Sequence, residues 1–248
     1  MMRLIVPLIL TLLIFSCQKP EDRACWKSVG EKDSLELFIS NDFEELFLAE
    51  HLEYVLVQDS TDKVVLKGGR NLLNFVEVVQ EGQKVSIRNN NKCSFLRNLK
   101  EKVQVEIHFT SLINIHYEGT EFLKNEGQLK LNWFTLLIRD GAGPVDLNID
   151  AEAIYFNVTH GYGDFTLSGK TKYANLLVKS NGFCDTYGLN IIDSITVISN
   201  TMGLCKVNVD QAKFKAEIDN GGDIWYIGTP FGQPKLLKYG TGELIDKN

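Results

Sequence analysis

The stretch Phe134-Thr135-Leu136-Leu137-Ile138 decides the architecture, because the same five-position pattern returns at steps of twenty residues. It reads Ile154-Tyr155-Phe156-Asn157-Val158, then Ala174-Asn175-Leu176-Leu177-Val178, Ser194-Ile195-Thr196-Val197-Ile198, Phe214-Lys215-Ala216-Glu217-Ile218 and Pro234-Lys235-Leu236-Leu237-Lys238. The first, third and fifth positions are largely apolar. The residue after each pattern is mostly polar: Arg139, Thr159, Lys179, Ser199, Asp219 and Tyr239. Successive side chains of a strand point to opposite faces, so each pattern describes a strand with one buried face. Period two inside a longer fixed period is the mark of strands stacked rung on rung, with the inward side chains forming a continuous core.

Each pattern runs into a corner rich in glycine and asparagine: Asp140-Gly141-Ala142-Gly143, His160-Gly161-Tyr162-Gly163, Asn181-Gly182, Asn200-Thr201-Met202-Gly203, Asn220-Gly221-Gly222 and Gly240-Thr241-Gly242. Such residues suit bends that need positive φ. A second short strand follows, as in Val145 to Ile149, Phe165 to Leu167, Val207 to Val209 and Ile224 to Ile227. Two strands and two bends per coil predict an all-β, parallel β-helix-like solenoid over residues 110–248, with an earlier, less regular coil at Ile113 to Leu123. At a strand spacing of about 4.8 Å, six or seven rungs give a rod roughly 30 Å long. A hairpin-built sandwich would show tight two-residue turns and no fixed phase. Residues 26–109 are also strand-like but irregular, with a turn of helix expected within Gly68 to Phe75 and a basic connector at Cys93 to Lys102. Residues 26–248 are expected to form one continuous domain.

The N-terminus places Arg3 before a short apolar run, Leu4 to Phe15, and then Ser16-Cys17. A span of the bilayer needs roughly 20 apolar residues and a signal-peptide core about 7 to 15. Residues 1–16 are therefore expected to be a signal peptide. Leu13-Ile14-Phe15-Ser16-Cys17 resembles a bacterial lipobox, which makes Cys17 the expected lipid attachment site and residues 17–25 a polar tether. Without Asp after Cys17, sorting to the outer membrane is expected, with the domain facing the periplasm or the exterior. The whole chain has a formal net charge of −6, and removing Arg3 makes it more acidic. Nucleic acid, which demands a basic face, is not an expected partner.

The chain resembles the auto-transporter adhesin, head GIN domain family, common in Bacteroidetes. The resemblance is carried by Phe43, Tyr54-Val55-Leu56-Val57-Gln58, Asn71-Leu72-Leu73, Asn91-Lys92-Cys93-Ser94-Phe95-Leu96-Arg97 and the glycine corners of residues 118–242, nearly the whole mature chain. It implies a right-handed parallel β-helix-like solenoid and an adhesin-like role. The family's corners commonly read Gly-Ser-Gly, whereas here they read Gly141-Ala142-Gly143, Gly161-Tyr162-Gly163 and Thr201-Met202-Gly203. A ligand shared through the corners is therefore not carried over.

No catalytic residue, metal ligand or cofactor site is assigned. A polysaccharide-cleaving β-helix would set carboxylates on adjacent rungs, but Asp140 precedes its corner while Asp164, Asp185 and Asp223 follow theirs. The column Asp140, His160, Ser180 or Asn181, Asn200 and Asn220 is read as turn residues that bond local or next-rung backbone. His160 is the best single acid or base and lacks a recognisable partner, and His51, His108 and His116 have no metal-ligand spacing. The reading is a noncatalytic envelope lipoprotein that serves as a binding or structural scaffold, with a glycan or an envelope protein as partner. The alternative is a carbohydrate-active β-helix enzyme.

Two further features are marked. Leu137, Leu177, Val197 and Leu237 form an outward apolar strip, interrupted by Asn157 and Glu217. It is either covered by the N-terminal region or exposed as an interaction strip. Trp225, Tyr226 and Tyr239 either stack on sugar rings or cap the solenoid end. Among the cysteines, Cys25 and Cys93 are the expected disulfide, contributing about 3 to 5 kcal/mol by loop closure. Cys184 and Cys205 lie about one coil apart and are expected slightly out of register, at least one of them a reduced core thiol.

Overall fold

The computed structural model describes residues 28–40, 43–49, 51–91 and 101–248, and in it the repeated pattern folds as parallel strands paired one coil apart. Strands β10 (Leu129–Ile138), β11 (Val145–Val158), β12 (Asp164–Ser180) and β13 (Phe183–Thr201) stack in turn, and the last three each carry two arms of a coil. The strict burial alternation breaks between the arms, as at Ala153 and Ile154 of β11, which are both buried. Shorter pieces complete the later coils: β14 (Cys205–Asn208), β15 (Lys213–Ile218), β16 (Ile224–Ile227), β17 (Lys235–Lys238) and β18 (Leu244–Asp246). One arm stacks β13, β14, β16 and β18, and the other stacks β13, β15 and β17, all parallel. The result is an almost entirely β protein built on a solenoid of about 7 turns.

The irregular N-terminal sequence joins this stack. Strand β2 (Glu45–Leu48) lies parallel between β6 (Lys84–Asn89) and β8 (Asn114–Tyr117). Strand β3 (Leu52–Gln58) lies parallel between β7 (Val103–Phe109) and β9 (Leu123–Glu126). The first rung in the chain is thus the second in space, which breaks any fixed sequence phase. Antiparallel pairs finish that end: β1 (Lys32–Phe38) on β4 (Lys63–Gly69), β4 on β7, and β5 (Val76–Glu81) on β6. The expected helical turn is α1 (Arg70–Leu73), which buries Leu72 and Leu73.

The interior is one continuous apolar column. Leu136, Phe156, Leu176, Val197 and Ala216 are partners in successive registers and are all fully buried. Phe134 meets Phe156 edge to face at 5.8 Å, and Phe156 meets Phe165 at 5.4 Å. Leu236 continues the column past Ala216 and is 43% exposed, because no further rung among the described residues covers it. Lys235 and Lys238 flank it, the kind of charge that discourages edge pairing.

The structure corrects the twenty-residue phase at one place. Val178 pairs with Ser199 and Ser199 with Ile218, so a coil of 21 residues is followed by one of 19. The cause is a pair of register shifts where β13 carries extra residues, opposite Thr166 to Ser168 and Thr171 to Tyr173. A one-residue slip exchanges the two faces of a strand. Val197 is therefore an inward, fully buried residue, and Ile198 takes the outward place beside Leu177.

The corners are correct in position, and Gly161 has the expected positive φ, but four of the other corner glycines serve a different purpose. Positive φ occurs at Asp140 (56°), Gly161 (92°) and Ser180 (61°), and at none of Gly182, Gly203, Gly222 or Gly242. These four stack on one another: a β-carbon at Gly203 would lie 2.2 Å from the Gly182 carbonyl oxygen, one at Gly222 would lie 2.1 Å from that of Gly203, and one at Gly242 would lie 2.3 Å from that of Gly222. Close approach of rung to rung excludes side chains there. Thr201 secures the stack from inside, its buried hydroxyl donating towards the carbonyls of Ser180 (3.1 Å) and Gly182 (2.9 Å) and accepting from the Gly203 N–H (2.8 Å).

Candidate binding surface

Most acidic residues at the bends hold backbone. Asp164 Oδ1 accepts the N–H of Phe183 on the next rung at 3.2 Å, Asp210 accepts that of Thr229 at 3.1 Å, and Asp223 accepts that of Glu243 at 2.8 Å. Asp185 accepts the Tyr187 N–H and pairs with Lys206 at 3.1 Å. Asp140 pairs with its neighbour Arg139. Burial holds the Asp164 carboxyl above its ordinary range, partly offset by the Phe183 N–H. The turn reading also fits Asn220, which accepts the Gly221 N–H, and Ser180, whose hydroxyl reaches the Thr159 carbonyl. Among the described residues, no three His, Cys, Asp or Glu side chains gather in a way that could hold a metal ion.

His160 is exposed at its corner. His108 has a partner that spacing did not reveal: its Nδ1 lies 2.6 Å from Asp59 Oδ2, across 49 residues of sequence. That contact, with the Thr61 N–H, lowers the Asp59 carboxyl. Glu106 stands beside His108 and pairs with Lys67. These residues lie on neighbouring strands of the antiparallel end, which only the β3–β7–β4 pairing brings together.

Of the expected apolar strip, Leu137, Leu177 and Leu237 are outward and half-buried, and Val197 is replaced by Ile198. The register column reads Phe47, His116, Leu137, Asn157, Leu177, Ile198, Glu217 and Leu237. The N-terminal strands extend this column and do not lie over it. Trp225 and Tyr226 are engaged at the solenoid end: Lys247 sits over the Trp225 ring at 4.0 Å, and Tyr226 packs on Phe214 and bonds Asp246. Tyr239 is exposed. Cys17, Cys25 and Cys93 lie outside the described residues. Cys184 and Cys205 are direct register partners, contrary to the expected offset, and both are buried free thiols. Their mutual hydrogen bond, together with burial, holds the Cys184 thiol well above its ordinary range.

Sequence reasoning missed one group of exposed aromatics. Trp133 (56% exposed), Tyr155 and Tyr173 cluster where the two arms of successive coils meet. Trp133 and Tyr173 flank Ala153 from the rungs on either side, and the Trp133 and Tyr155 rings stack with centroids 6.1 Å apart and planes 15° from parallel. The bulge in β13 pushes Ile192 out beside them. The charges along this ridge are paired between rungs: Lys170 with Asp150, Lys172 with Glu152 and Lys213 with Asp193, at 3.2, 2.9 and 3.3 Å. Glu152 accordingly raises the Lys172 ammonium above its usual range. The twenty-residue step from Trp133 through Ala153 to Tyr173 was the available signal.

The fold is that of a stacked parallel β-solenoid with side-chain ladders exposed on its outside. The chain belongs to the family described as "Putative auto-transporter adhesin, head GIN domain", whose pattern matches residues 42–230, as the resemblance implied. Solved structures share the fold at low identity. A "putative adhesin" from Bacteroides fragilis is 18% identical with a TM-score of 0.77, covering 88% of this chain and 97% of its own. A "putative adhesin" from Parabacteroides merdae is 16% identical with a TM-score of 0.57, covering 89% and 98%. A "Putative lipid binding protein" from Parabacteroides distasonis is 15% identical with a TM-score of 0.58, covering 88% and 98%. No protein with a curated description matches the chain. No helix among the described residues is long and apolar enough to cross a membrane.

Proposed function

We propose that this chain is a noncatalytic, adhesin-type binding scaffold of the bacterial envelope, anchored in the outer membrane through a lipid on Cys17. The observation that carries the binding half is the use of side chains along the coil. The corner carboxylates of Asp164 and Asp223 are occupied by next-rung backbone N–H groups, whereas aromatic residues and charge pairs between rungs are displayed on the outside. Family membership supports a place at the cell surface. The anchor rests on the lipobox-like Leu13-Ile14-Phe15-Ser16-Cys17. Because acyl chains add roughly 0.8 kcal/mol of membrane affinity per buried methylene, more than one chain holds a folded domain durably.

Cells that display the chain should adhere to immobilised host or envelope polymers better than cells that lack it, and equal adhesion across all polymers would overturn the binding role. For the anchor, Cys17→Ser should move the protein out of the membrane fraction or leave its precursor unprocessed. Processing and attachment that survive this substitution would refute the lipid.

A further inference from the structure

The aromatic group at the junction of the coil arms borders an open cleft of about 440 Å³. Trp133 belongs to both. The volume falls within the roughly 300–1,000 Å³ of small-molecule sites. The polar side chains of Gln58, Thr110, Ser111, Lys130 and Asn132 share its lining with three aliphatic ones and with Trp133. Gln58 ties its two walls together, donating to the Lys130 carbonyl at 2.8 Å and accepting the Lys130 N–H at 2.7 Å. The floor is therefore fixed, while Thr110, Ser111 and Asn132 are exposed beside it.

We propose that this cleft and the Trp133–Tyr155 platform form a binding site for a neutral oligosaccharide, a site that rests on the adhesin-type reading and gives it a ligand class. Three features select this chemistry. The Trp133 ring, braced by stacking on Tyr155 and 56% exposed, offers a flat apolar surface that matches the C–H face of a pyranose. Hydroxyl and amide groups stand next to that face, where the ring's hydroxyls would fall. The ridge charges are matched in pairs, leaving Lys130 as the cation of the cleft, so neither a polyanion nor a polycation meets a complementary field. An acyl chain would need an enclosed apolar cavity, whereas the interior of this solenoid is filled by its own side chains.

The test is calorimetric titration of the purified chain with cellohexaose, mannohexaose, xylohexaose and chitohexaose, with Trp fluorescence followed in parallel. At least one sugar should bind. Trp133→Ala should weaken it by about tenfold or more, Trp133→Phe should restore part of the loss, and Tyr239→Ala at the far end should leave it unchanged. Circular dichroism melting of each variant separates lost contact from lost fold. Binding of a sugar with Trp133→Ala indistinguishable from wild type overturns the site and leaves the adhesin reading intact. So does adhesion of displaying cells with no sugar bound, or Trp133-dependent binding to phosphatidylcholine vesicles in place of sugars. Absence of both sugar binding and cell adhesion overturns both proposals.

Discussion

Gly222→Ala separates two explanations of the corner glycines. Gly222 does not have positive φ, so a backbone-freedom argument predicts a neutral change, or a gain of about 0.4–1 kcal/mol from restricting the unfolded chain. The stacking argument predicts the reverse. The new β-carbon would sit 2.1 Å from the Gly203 oxygen and 2.7 Å from the Thr201 oxygen, so the rungs must part by about 1 Å to reach ordinary contact. That movement strains the hydrogen bond from the Gly222 N–H to the Thr201 carbonyl (2.8 Å) and the Thr201 hydroxyl network below it. With about 1 kcal/mol for each weakened bond and 1–3 kcal/mol for a buried group left unpaired, the cost is about 2–4 kcal/mol. For a domain of this size that lowers Tm by roughly 5–15 °C. Gly82 provides the contrast: its φ is +59° with nothing within 4 Å of a β-carbon, so Gly82→Ala carries only the left-handed penalty of roughly 1–2 kcal/mol. Thermal melting of both variants checks the order. A Gly222→Ala protein as stable as wild type, or more stable than Gly82→Ala by the margin φ alone predicts, refutes the stacking argument.

The corrected phase predicts that Val197→Asp, which places a charge in the sealed column, costs more than about 3 kcal/mol, while Ile198→Asp on the half-buried outer face costs under about 1.5 kcal/mol; denaturant melts compare them. Cys184 and Cys205 should resist iodoacetamide in the native protein and both react once it is unfolded, as counted by mass spectrometry. The raised Cys184 thiol gives a sign to the pH dependence. The folded state keeps a proton that the unfolded state releases, so this contribution is intact below the ordinary thiol pKa of about 8.5 and is lost as pH rises above it. Cys184→Ala should flatten that alkaline decline, measured as Tm against pH.

Much of the scaffold could be read from side-chain pattern. The inward columns through Phe134, Leu136 and Ile138 appear as expected for three rungs, since a strand with one buried face can satisfy its core only by alternating. The reading failed at Val197, where extra residues are absorbed as bulges. Composition does not mark a bulge when both candidate inward residues, Val197 and Ile198, are β-branched and apolar. It failed again for the candidate surface, because apolar residues on the strands and aromatics near the last coil give the plainer pattern. The exposed aromatics lie instead where the coil bends and Ala153 leaves room between Trp133 and Tyr173.

The sequence by itself determined that the chain stacks parallel rungs, where its corners fall and to which family it belongs, because periodicity and glycine placement act locally and repeat. Tertiary structure alone decided that β2–β3 sits between β6–β7 and β8–β9, that His108 meets Asp59, that Cys184 lies on Cys205, and that Trp133 meets Tyr155 beside an open cleft. The physical reason is common to all four. Which rung lies on which depends on how connections of unequal length close and on where bulges shift the register. A shift of one residue moves a side chain from core to solvent without altering the local preference of any residue in the strand.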